Sequence, residues 1–264
     1  GIGTKKEAAK GQTTKVRAAV GSYGTVESSA SHQMQLKSGA SAMGSATGKQ
    51  RDGKRTNQAL DSGSLLLHYD DELVGNRKLE INGRFFTSES GSPGPLDNPT
   101  PDARQSYDKV SFDSRLGGLV GDSCDYVLNL YGDTIELEDK SQTRQVSTLD
   151  DDKAGIKVEY NWNDTADQWA LRTSTILEHD DLDHTLSGSH QRTTAGVGLQ
   201  ADRTWQDWAL TAGARGDQVS DFDFNPGLSG GIHHVLGAGW SFKANLGHSV
   251  NIPTFGQLYQ PSHG

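Results

Sequence analysis

The feature that most constrains the fold of this chain is a period-two alternation of apolar and polar residues, which recurs along most of its length. In one segment, Leu79, Ile81 and Phe85 are separated by polar residues. Successive side chains of a β-strand point to opposite faces of a sheet, so this spacing predicts strands with one apolar and one polar face. The pattern returns at 110–116, 126–133, 156–161, 169–178, 208–217 and 242–246. We therefore predict an all-β protein.

The connections between these segments alternate between tight polar turns and longer polar stretches. Gly75–Arg77 and Gly237–Gly239 are tight, whereas 88–104 and 133–150 are long. Consecutive strands joined in this way predict an antiparallel up-and-down meander. We predict about thirteen strands, at 13–22, 25–37, 40–49, 61–72, 77–88, 105–117, 123–136, 150–161, 168–179, 190–204, 207–217, 227–236 and 239–250.

Low hydropathy does not exclude a membrane for a chain of this kind. Only 33% of the residues are hydrophobic and the mean hydropathy is -0.66, so no stretch approaches the roughly 18 apolar residues of a membrane-spanning helix. A transmembrane barrel exposes apolar residues only at every second position, and its short turns face the periplasm while its long loops face outward. Aromatic girdles mark its membrane interfaces. All five tryptophans lie beside predicted tight turns, at Trp162, Trp169, Trp205, Trp208 and Trp240.

Charge and cysteine content limit the classes of partner. The net charge is -9, which argues against binding to nucleic acid. The single cysteine, Cys124, has no second cysteine with which to form an internal disulfide. We predict a buried or lipid-facing side chain at this position.

No catalytic constellation is evident, so we predict that the protein is not an enzyme. The segment His179–His184, with Ser187 and His190, holds residue types of a hydrolase or a metal site, but it lies in a predicted external loop. One weak metal site is expected, since clustered carboxylates are the ligands that Ca²⁺ prefers. Its ligands would be Glu136, Glu138, Asp139, Asp150, Asp151 and Asp152, and a solvated loop face is the alternative. No other cofactor is predicted.

A basic stretch in one predicted external loop is the candidate site for an anionic ligand. It contains Lys49, Arg51, Lys54 and Arg55, to which we add Arg104 from the next long connection. Clustered cations on a loop raise the local concentration of anions. The alternative is a loop whose charges only keep the protein soluble.

Three motifs resemble the TonB-dependent outer-membrane receptors. Gly1–Lys6 is similar to the last segment of the plug in this family, and Gly21–Thr25 is similar to the loop that follows the first barrel strand. Trp240–Tyr259, which ends in Gly-Gln-Leu-Tyr, resembles the family segment F.A..G…..P…GQLY. The resemblance covers essentially the whole chain, and it is strongest to the cobalamin and siderophore receptors.

The resemblance implies a partial transmembrane β-barrel, about 13 of the family's about 22 strands, in the outer membrane of a Gram-negative bacterium. Residues 1–10 would be the end of the plug and its linker, and 11–264 would be the N-terminal portion of the barrel. We expect the chain to be a fragment, whose open edge strands would pair with another chain in an oligomer.

The function that the resemblance implies is uptake of a scarce, bulky nutrient, namely cobalamin, an iron-siderophore complex or haem, driven by the TonB complex through the plug. Charged residues would face the plug and the lumen, and the apolar face would meet the lipid bilayer. The lumen-facing residues would be Arg84, Arg115, Glu159, Arg172, Arg215 and Lys243. An outer-membrane barrel enzyme and a soluble all-β binding module are the alternatives. Similar loop lengths at both ends would favour the soluble module.

Overall fold

The computed structural model describes residues 11–164 and 166–259, so the predicted plug segment at 1–10 lies outside the described residues. Thirteen strands hydrogen-bond in chain order within one sheet, as neighbours in an antiparallel meander. The predicted fold class is therefore confirmed. The strands are β1 (Gln12–Val20), β2 (Val26–Gln35), β3 (Ser41–Arg51), β4 (Leu60–Leu73), β5 (Arg77–Gly91), β6 (Arg104–Val120), β7 (Cys124–Lys140), β8 (Val146–Asp164), β9 (Trp169–His184), β10 (Gly188–Trp205), β11 (Trp208–Val219), β12 (Asn225–Gly237) and β13 (Trp240–His248).

Several strands extend further toward the long connections than the sequence pattern predicts. The loops expected at 133–150 and 178–190 shrink to 141–145 and 185–187. In β9, the polar residues of 178–184 continue the ladder with β10, where Glu178 is paired with Thr194 and His184 with Gly188. The backbone hydrogen bonds between β9 and β10 continue beyond the last of the alternating apolar residues, because backbone pairing does not require apolar side chains. Hydrophobic alternation therefore underestimates the strand length.

The short connections use residues that tolerate a left-handed backbone. Between β4 and β5, Gly75 and Asn76 have φ values of 82° and 56°, which these two residue types adopt readily. Between β10 and β11, Gln206 has a φ of 50°, a conformation that costs about 1–2 kcal/mol for such a residue. The flanking Trp205 and Trp208 are paired across this turn and stacked, which offsets the cost.

The segment after β13 that ends in Gly-Gln-Leu-Tyr contains a single helical turn, α1 (Phe255–Tyr259). Thr254 and Gln257 form a capping box, in which the backbone N–H of Gln257 donates to Thr254 Oγ1 and the backbone N–H of Thr254 donates to Gln257 Oε1. This reciprocal pair satisfies two amide donors and explains why the segment is helical. No described helix has the length and apolar character needed to span a membrane.

The described residues divide into two compact units. The first comprises the described residues up to Leu73 together with Leu79–Ser114 and Asp133–Asp151. The second comprises Val74–Lys78, Arg115–Gly132 and the described residues from Asp152 onward.

In the first unit, the strand register separates apolar from polar side chains. Val16 is paired with Ala30, Ala30 with Ala46, and Ala46 with Leu65, so these four side chains share one face. The adjacent row on the opposite face joins Arg17, Ser29, Thr47 and Ser64 in the same manner. Because a shift of one residue would exchange the two faces, the register is fixed by this alternation.

The second unit shows the same separation. One row of paired residues joins Leu199, Ala214, Leu228 and His248, and another joins Ala201, Ala212, Gly230 and Leu246. The opposite face carries a row of Ser174, Gly198, Arg215 and Gly227. We call these two surfaces the apolar face and the polar face of each unit.

Very few side chains are buried by the described residues themselves. The buried apolar residues are Ala40, Ala103, Leu182, Val219 and Phe255, and no charged or polar residue is buried. Large side chains of the apolar face are exposed, for example Val20 at 86% and Leu246 at 84%. Water-exposed apolar area on this scale indicates a surface that meets another apolar phase or partner.

Candidate functional site: the polar face and the long connections

The polar face of the second unit encloses a cavity of about 390 Å³. Three of the six residues predicted to face the lumen line it, namely Glu159, Arg172 and Arg215. Its wall also contains Asn161, Ser229 and the glycines Gly198, Gly213 and Gly227, and Leu199, Ala214, Leu228 and His248 of the adjacent apolar rows border it. The cavity is therefore lined by both signs of charge and by neutral hydrogen-bonding groups, which suits a polar protein segment or a polar ligand.

The charges in and around this cavity are mostly paired within the sheet. Arg215 donates two hydrogen bonds to Asp217, at 2.6 and 2.9 Å, and Arg172 Nη1 lies 3.0 Å from Asp202 Oδ2. Glu159 accepts a contact of 2.7 Å from Lys157 Nζ. Half-exposed pairs of this kind contribute only about 0–1 kcal/mol each to stability. They set the charge pattern of the surface more than they stabilise the fold.

The other predicted lumen residues also lie in strands. Lys243 is in β13, paired with His233 on the polar face of the second unit, and Arg115 is in β6. In the first unit, Arg84 in β5 approaches Asp113, with 3.9 Å between Nη2 and Oδ1. That these residues face a barrel lumen stays a prediction.

A hydrogen-bond network connects four strands on the polar face of the first unit. Ser41 donates to Asp70 at 2.5 Å, and the same carboxylate lies 3.2 Å from His68 Nε2. His68 Nδ1 is 2.7 Å from Asn82 Oδ1, and Asn82 Nδ2 donates to Asp113 at 2.9 Å. The network joins β3, β4, β5 and β6 side by side and orients a row of polar side chains.

The basic stretch predicted as one loop is divided between a strand and a connection. Lys49 and Arg51 are in β3 rather than in the loop, because β3 continues to pair with β4 as far as Arg51, and Lys49 forms an ion pair of 2.7 Å with Glu27. Lys54 lies 5.0 Å from the ring centroid of Tyr23. Arg104 begins β6 and donates to its neighbouring carbonyl.

Two long connections of the first unit are fastened together by Arg55 and Asn57. Arg55 Nη2 donates to the carbonyl of Gly94 at 2.7 Å and also reaches that of Pro93. Asn57 Nδ2 lies 3.2, 2.6 and 2.7 Å from the carbonyl oxygens of Ser92, Thr100 and Ala103. The side chains of 52–59 therefore shape the segment 92–103, and the guanidinium of Arg55 has a structural role there.

The carboxylates predicted as calcium ligands occupy strands instead of a loop. Glu136, Glu138 and Asp139 are in β7, and Asp150, Asp151 and Asp152 are in β8. The reason is again that these strands extend beyond their apolar residues. Over the ranges 11–164 and 166–259, no three His, Cys, Asp or Glu side chains form a group suited to a metal ion. Calcium binding stays a prediction.

The histidine and serine residues that first suggested hydrolase chemistry cluster around the 185–187 turn. His184 Nδ1 lies 2.7 Å from Ser187 Oγ, and Ser189 Oγ donates to Asp183. His190 Nε2 lies 2.7 Å from the carbonyl of Ser187. The contacts of His184 and His190 with Ser187 hold a three-residue turn between β9 and β10, whereas His179 Nδ1 lies 2.9 Å from Thr193 Oγ1 within the strand ladder.

One cluster that the sequence did not predict forms around Arg192, in β10 of the second unit. Its side chain is only 11% exposed, and its guanidinium carbon lies 4.4 Å from the ring centroid of Phe255 and 5.4 Å from that of Phe222. Nη1 donates to the carbonyl of Pro253 at 3.0 Å. His190 stacks on Tyr259, with 3.5 Å between the ring centroids. We call Arg192, Phe222, Phe255 and Tyr259 the arginine clasp, because they hold α1 against β10.

The comparisons with known proteins agree with this architecture. Residues 12–264 match the model of a family described as TonB dependent receptor-like, beta-barrel. A comparison with curated proteins gives no match.

Three similar solved structures share the fold at low sequence identity. The siderophore receptor PirA from Pseudomonas aeruginosa has a TM-score of 0.74 at 14% identity, with 96% of this chain and 45% of that chain covered. The FrpB iron transporter from Neisseria meningitidis gives 0.73 at 14% identity, with coverages of 93% and 48%. The copper transporter OprC gives 0.73 at 13% identity, with coverages of 97% and 50%.

This chain thus spans about half the length of the structures it resembles. The family match extends over nearly all of its residues, and the thirteen-stranded antiparallel meander is the architecture expected of that match. The chain belongs to the family of TonB-dependent receptor-like β-barrels.

Proposed function

We propose that this chain is the barrel portion of a TonB-dependent receptor that imports an iron-siderophore complex across the outer membrane of a Gram-negative bacterium. The observation that supports this best is the separation of the strands into an apolar and a polar face with almost no core of their own. A soluble β-sandwich buries its apolar faces between two sheets. An outer-membrane barrel instead turns them toward lipid.

The polar face is the surface on which a plug domain would lie. Paired charges such as Arg215–Asp217 keep the polar face hydrophilic. Because each charge already has a partner, the face would bind a plug domain less tightly than unpaired charges would. Energy from the TonB complex would act on the plug, and the barrel would provide the fixed wall of the path. The transport role requires no covalent chemistry from these strands.

The cargo is inferred from the proteins that share the fold. PirA is described as a siderophore receptor and FrpB as an iron transporter, whereas OprC is described as a copper transporter. Iron-siderophore complexes are thus the first candidates. Cobalamin, haem and copper are the alternative cargoes, and the uptake assay includes all three.

Growth and uptake assays on the full-length receptor test this function. The receptor is expressed in a Gram-negative host that lacks its own siderophore receptors, with and without a functional TonB. Uptake of radioactive iron bound to a panel of siderophores is measured beside cobalamin, haem and copper. Fractionation of the same cells locates the receptor.

We expect receptor-dependent and TonB-dependent iron uptake with at least one siderophore, and recovery of the receptor in the outer membrane. If the receptor takes up only cobalamin, haem or copper, it is a transporter but its cargo is not an iron-siderophore complex. A receptor found in a soluble fraction would reject the membrane assignment and favour a soluble binding module.

A further inference from the structure

A positively charged side chain lies on the apolar face of the second unit, where none is needed for a barrel wall. Arg203 is paired with Trp169 in β9 and with Leu210 in β11, and Ala201 and Leu199 continue the same face along β10. The residue is exposed, and the contacts that its guanidinium makes within 11–164 and 166–259 are with indole rings. The charged guanidinium of Arg203 therefore lies on the apolar face of the sheet.

Two indole rings hold the guanidinium in place. The Arg203 guanidinium carbon lies 4.9 Å from the ring centroid of Trp169 and 5.8 Å from that of Trp205. Trp205 is itself supported by Trp208, which stacks on His234 with 3.8 Å between centroids. Contacts of this type contribute about 0.5–1 kcal/mol at exposed sites. Ring contacts of this kind do not use the guanidinium N–H groups as conventional hydrogen-bond donors, so these groups are available to an acceptor.

The location along the strand identifies the environment. Arg203 is two residues from the end of β10, Trp169 begins β9 and Trp208 begins β11, all beside short connections. Indole rings favour the depth of lipid headgroups, since they combine an apolar body with a polar N–H. An arginine costs about 2–4 kcal/mol at the bilayer midplane but about 0–1 kcal/mol near the interface. The site is therefore at headgroup depth, where phosphate groups are the most abundant acceptors.

We propose that Arg203, held between Trp169 and Trp205, binds the phosphate of a glycerophospholipid in the leaflet on the side of the short connections. The planar guanidinium matches two phosphate oxygens, as a bidentate donor, better than an ammonium does. The apolar face above it, including Leu199 and Val197, contacts the acyl chains. This inference rests on the proposed function only because it requires that the barrel lies in a membrane. It does not depend on which cargo the receptor transports.

The test is a lipid titration of the full-length receptor purified in an uncharged detergent. Phosphatidylglycerol is added, and bound lipid is counted by native mass spectrometry for the wild type, Arg203→Gln, Arg203→Lys and the control Arg144→Gln. Arg144 is an exposed residue of the 141–145 connection in the first unit, so its replacement removes the same charge from another part of the chain. Diacylglycerol with the same acyl chains and millimolar inorganic phosphate are the two competitors.

We expect Arg203→Gln to weaken phosphatidylglycerol binding about tenfold, as loss of a charge-assisted hydrogen bond does. Arg203→Lys should be intermediate and Arg144→Gln should equal the wild type. Diacylglycerol and inorganic phosphate should not displace the lipid. Equal binding by Arg203→Gln, or full displacement by diacylglycerol, overturns the proposal. Displacement by inorganic phosphate overturns the lipid assignment and leaves a general anion site.

Folding of each variant is checked by the shift in gel mobility on heating. If Arg203→Gln does not fold, the Arg203→Lys titration and the diacylglycerol competition on the wild type still decide the question. Failure of the transport proposal is recognised separately: a receptor that binds phosphatidylglycerol through Arg203 but imports no iron-siderophore complex rejects the cargo and retains the lipid site.

Discussion

The ring of Tyr131 in β7 packs directly against the backbone of Gly155 in β8, in the space that a Cβ at position 155 would occupy. The hydroxyl of Tyr131 continues past the glycine and donates a hydrogen bond of 2.7 Å to Glu178 in β9. Lys153 lies 3.5 Å from the same carboxylate and 3.4 Å from Asp180. The glycine thus allows one tyrosine to connect three neighbouring strands on the polar face.

Replacing Gly155 should therefore destabilise the barrel. Gly155→Val overlaps the Tyr131 ring and displaces it, and overpacking of this kind costs about 1–3 kcal/mol. The free energy of unfolding is measured by urea titration of the full-length receptor in phospholipid vesicles. The control is Gly230→Val in β12, where the nearest atom to the added Cβ is 3.9 Å away. Equal losses in both variants would contradict a specific role for the Tyr131–Gly155 contact.

Asn57 provides a second test, on the connections of the first unit. Asn57→Asp keeps the shape and tolerates the positive φ of 60°, but it replaces an amide donor with a carboxylate facing three carbonyl oxygens. Loss of these partly buried hydrogen bonds costs about 1 kcal/mol each, and repulsion adds to it. We expect faster proteolysis within 92–103 on intact cells.

The matched control for this variant is Asn76→Asp, since Asn76 also has a positive φ, 56°, but lies exposed in a short turn. Its cleavage pattern should equal that of the wild type. If the Asn57→Asp receptor resists proteolysis as well as this control does, the contacts of the Asn57 amide do not hold the segment 92–103 in place.

The strand order was predictable from the sequence, and the strand ends were not. Alternation around Ile156 and Val158 identified β8, but the strand runs over Val146–Asp164 instead of the predicted 150–161. The residues added at the strand ends pair through their backbones, and this pairing does not require apolar side chains. The sequence therefore shows no alternation of apolar and polar residues there. The predicted polar residues Glu159, Arg172 and Arg215 do line one cavity, because each strand keeps its period across the sheet.

The arginine clasp shows why other contacts escape a sequence pattern. Arg192 and Pro253 are 61 residues apart and meet only because the chain folds back after β13. Nothing local in β10, where Gln191 and Thr193 flank Arg192, marks this residue as the contact of a distant segment. We did not predict the helical turn from the sequence, although the Thr-x-x-Gln spacing of Thr254 and Gln257 is a local signal that could have indicated it.

The clasp yields a third prediction. Arg192→Lys keeps the charge but loses the planar group that packs against Phe222 and Phe255 and donates to Pro253. We expect the amides of Phe255–Tyr259 to exchange hydrogen at least several-fold faster, measured by mass spectrometry on the full-length receptor. The exposed Arg144→Lys is the control and should leave exchange in α1 unchanged. Unaltered exchange in Arg192→Lys would mean that the capping box alone holds the helical turn.

The last prediction concerns which end of the strands faces the outside of the cell. The connections 52–59 and 92–103 are long, and the connection 74–76 that separates them along the chain is short. Long loops of outer-membrane barrels lie outside. A single cysteine is introduced by Asp97→Cys or by Asn76→Cys in a Cys124→Ser background, since both new sites are exposed. Serine keeps an acceptor oxygen for the Tyr160 hydroxyl, which donates to Cys124. A membrane-impermeant maleimide should label the Asp97→Cys receptor on intact cells and the Asn76→Cys receptor only after lysis. Labelling in the reverse order would invert the barrel and would place the connections that Asn57 fastens on the periplasmic side.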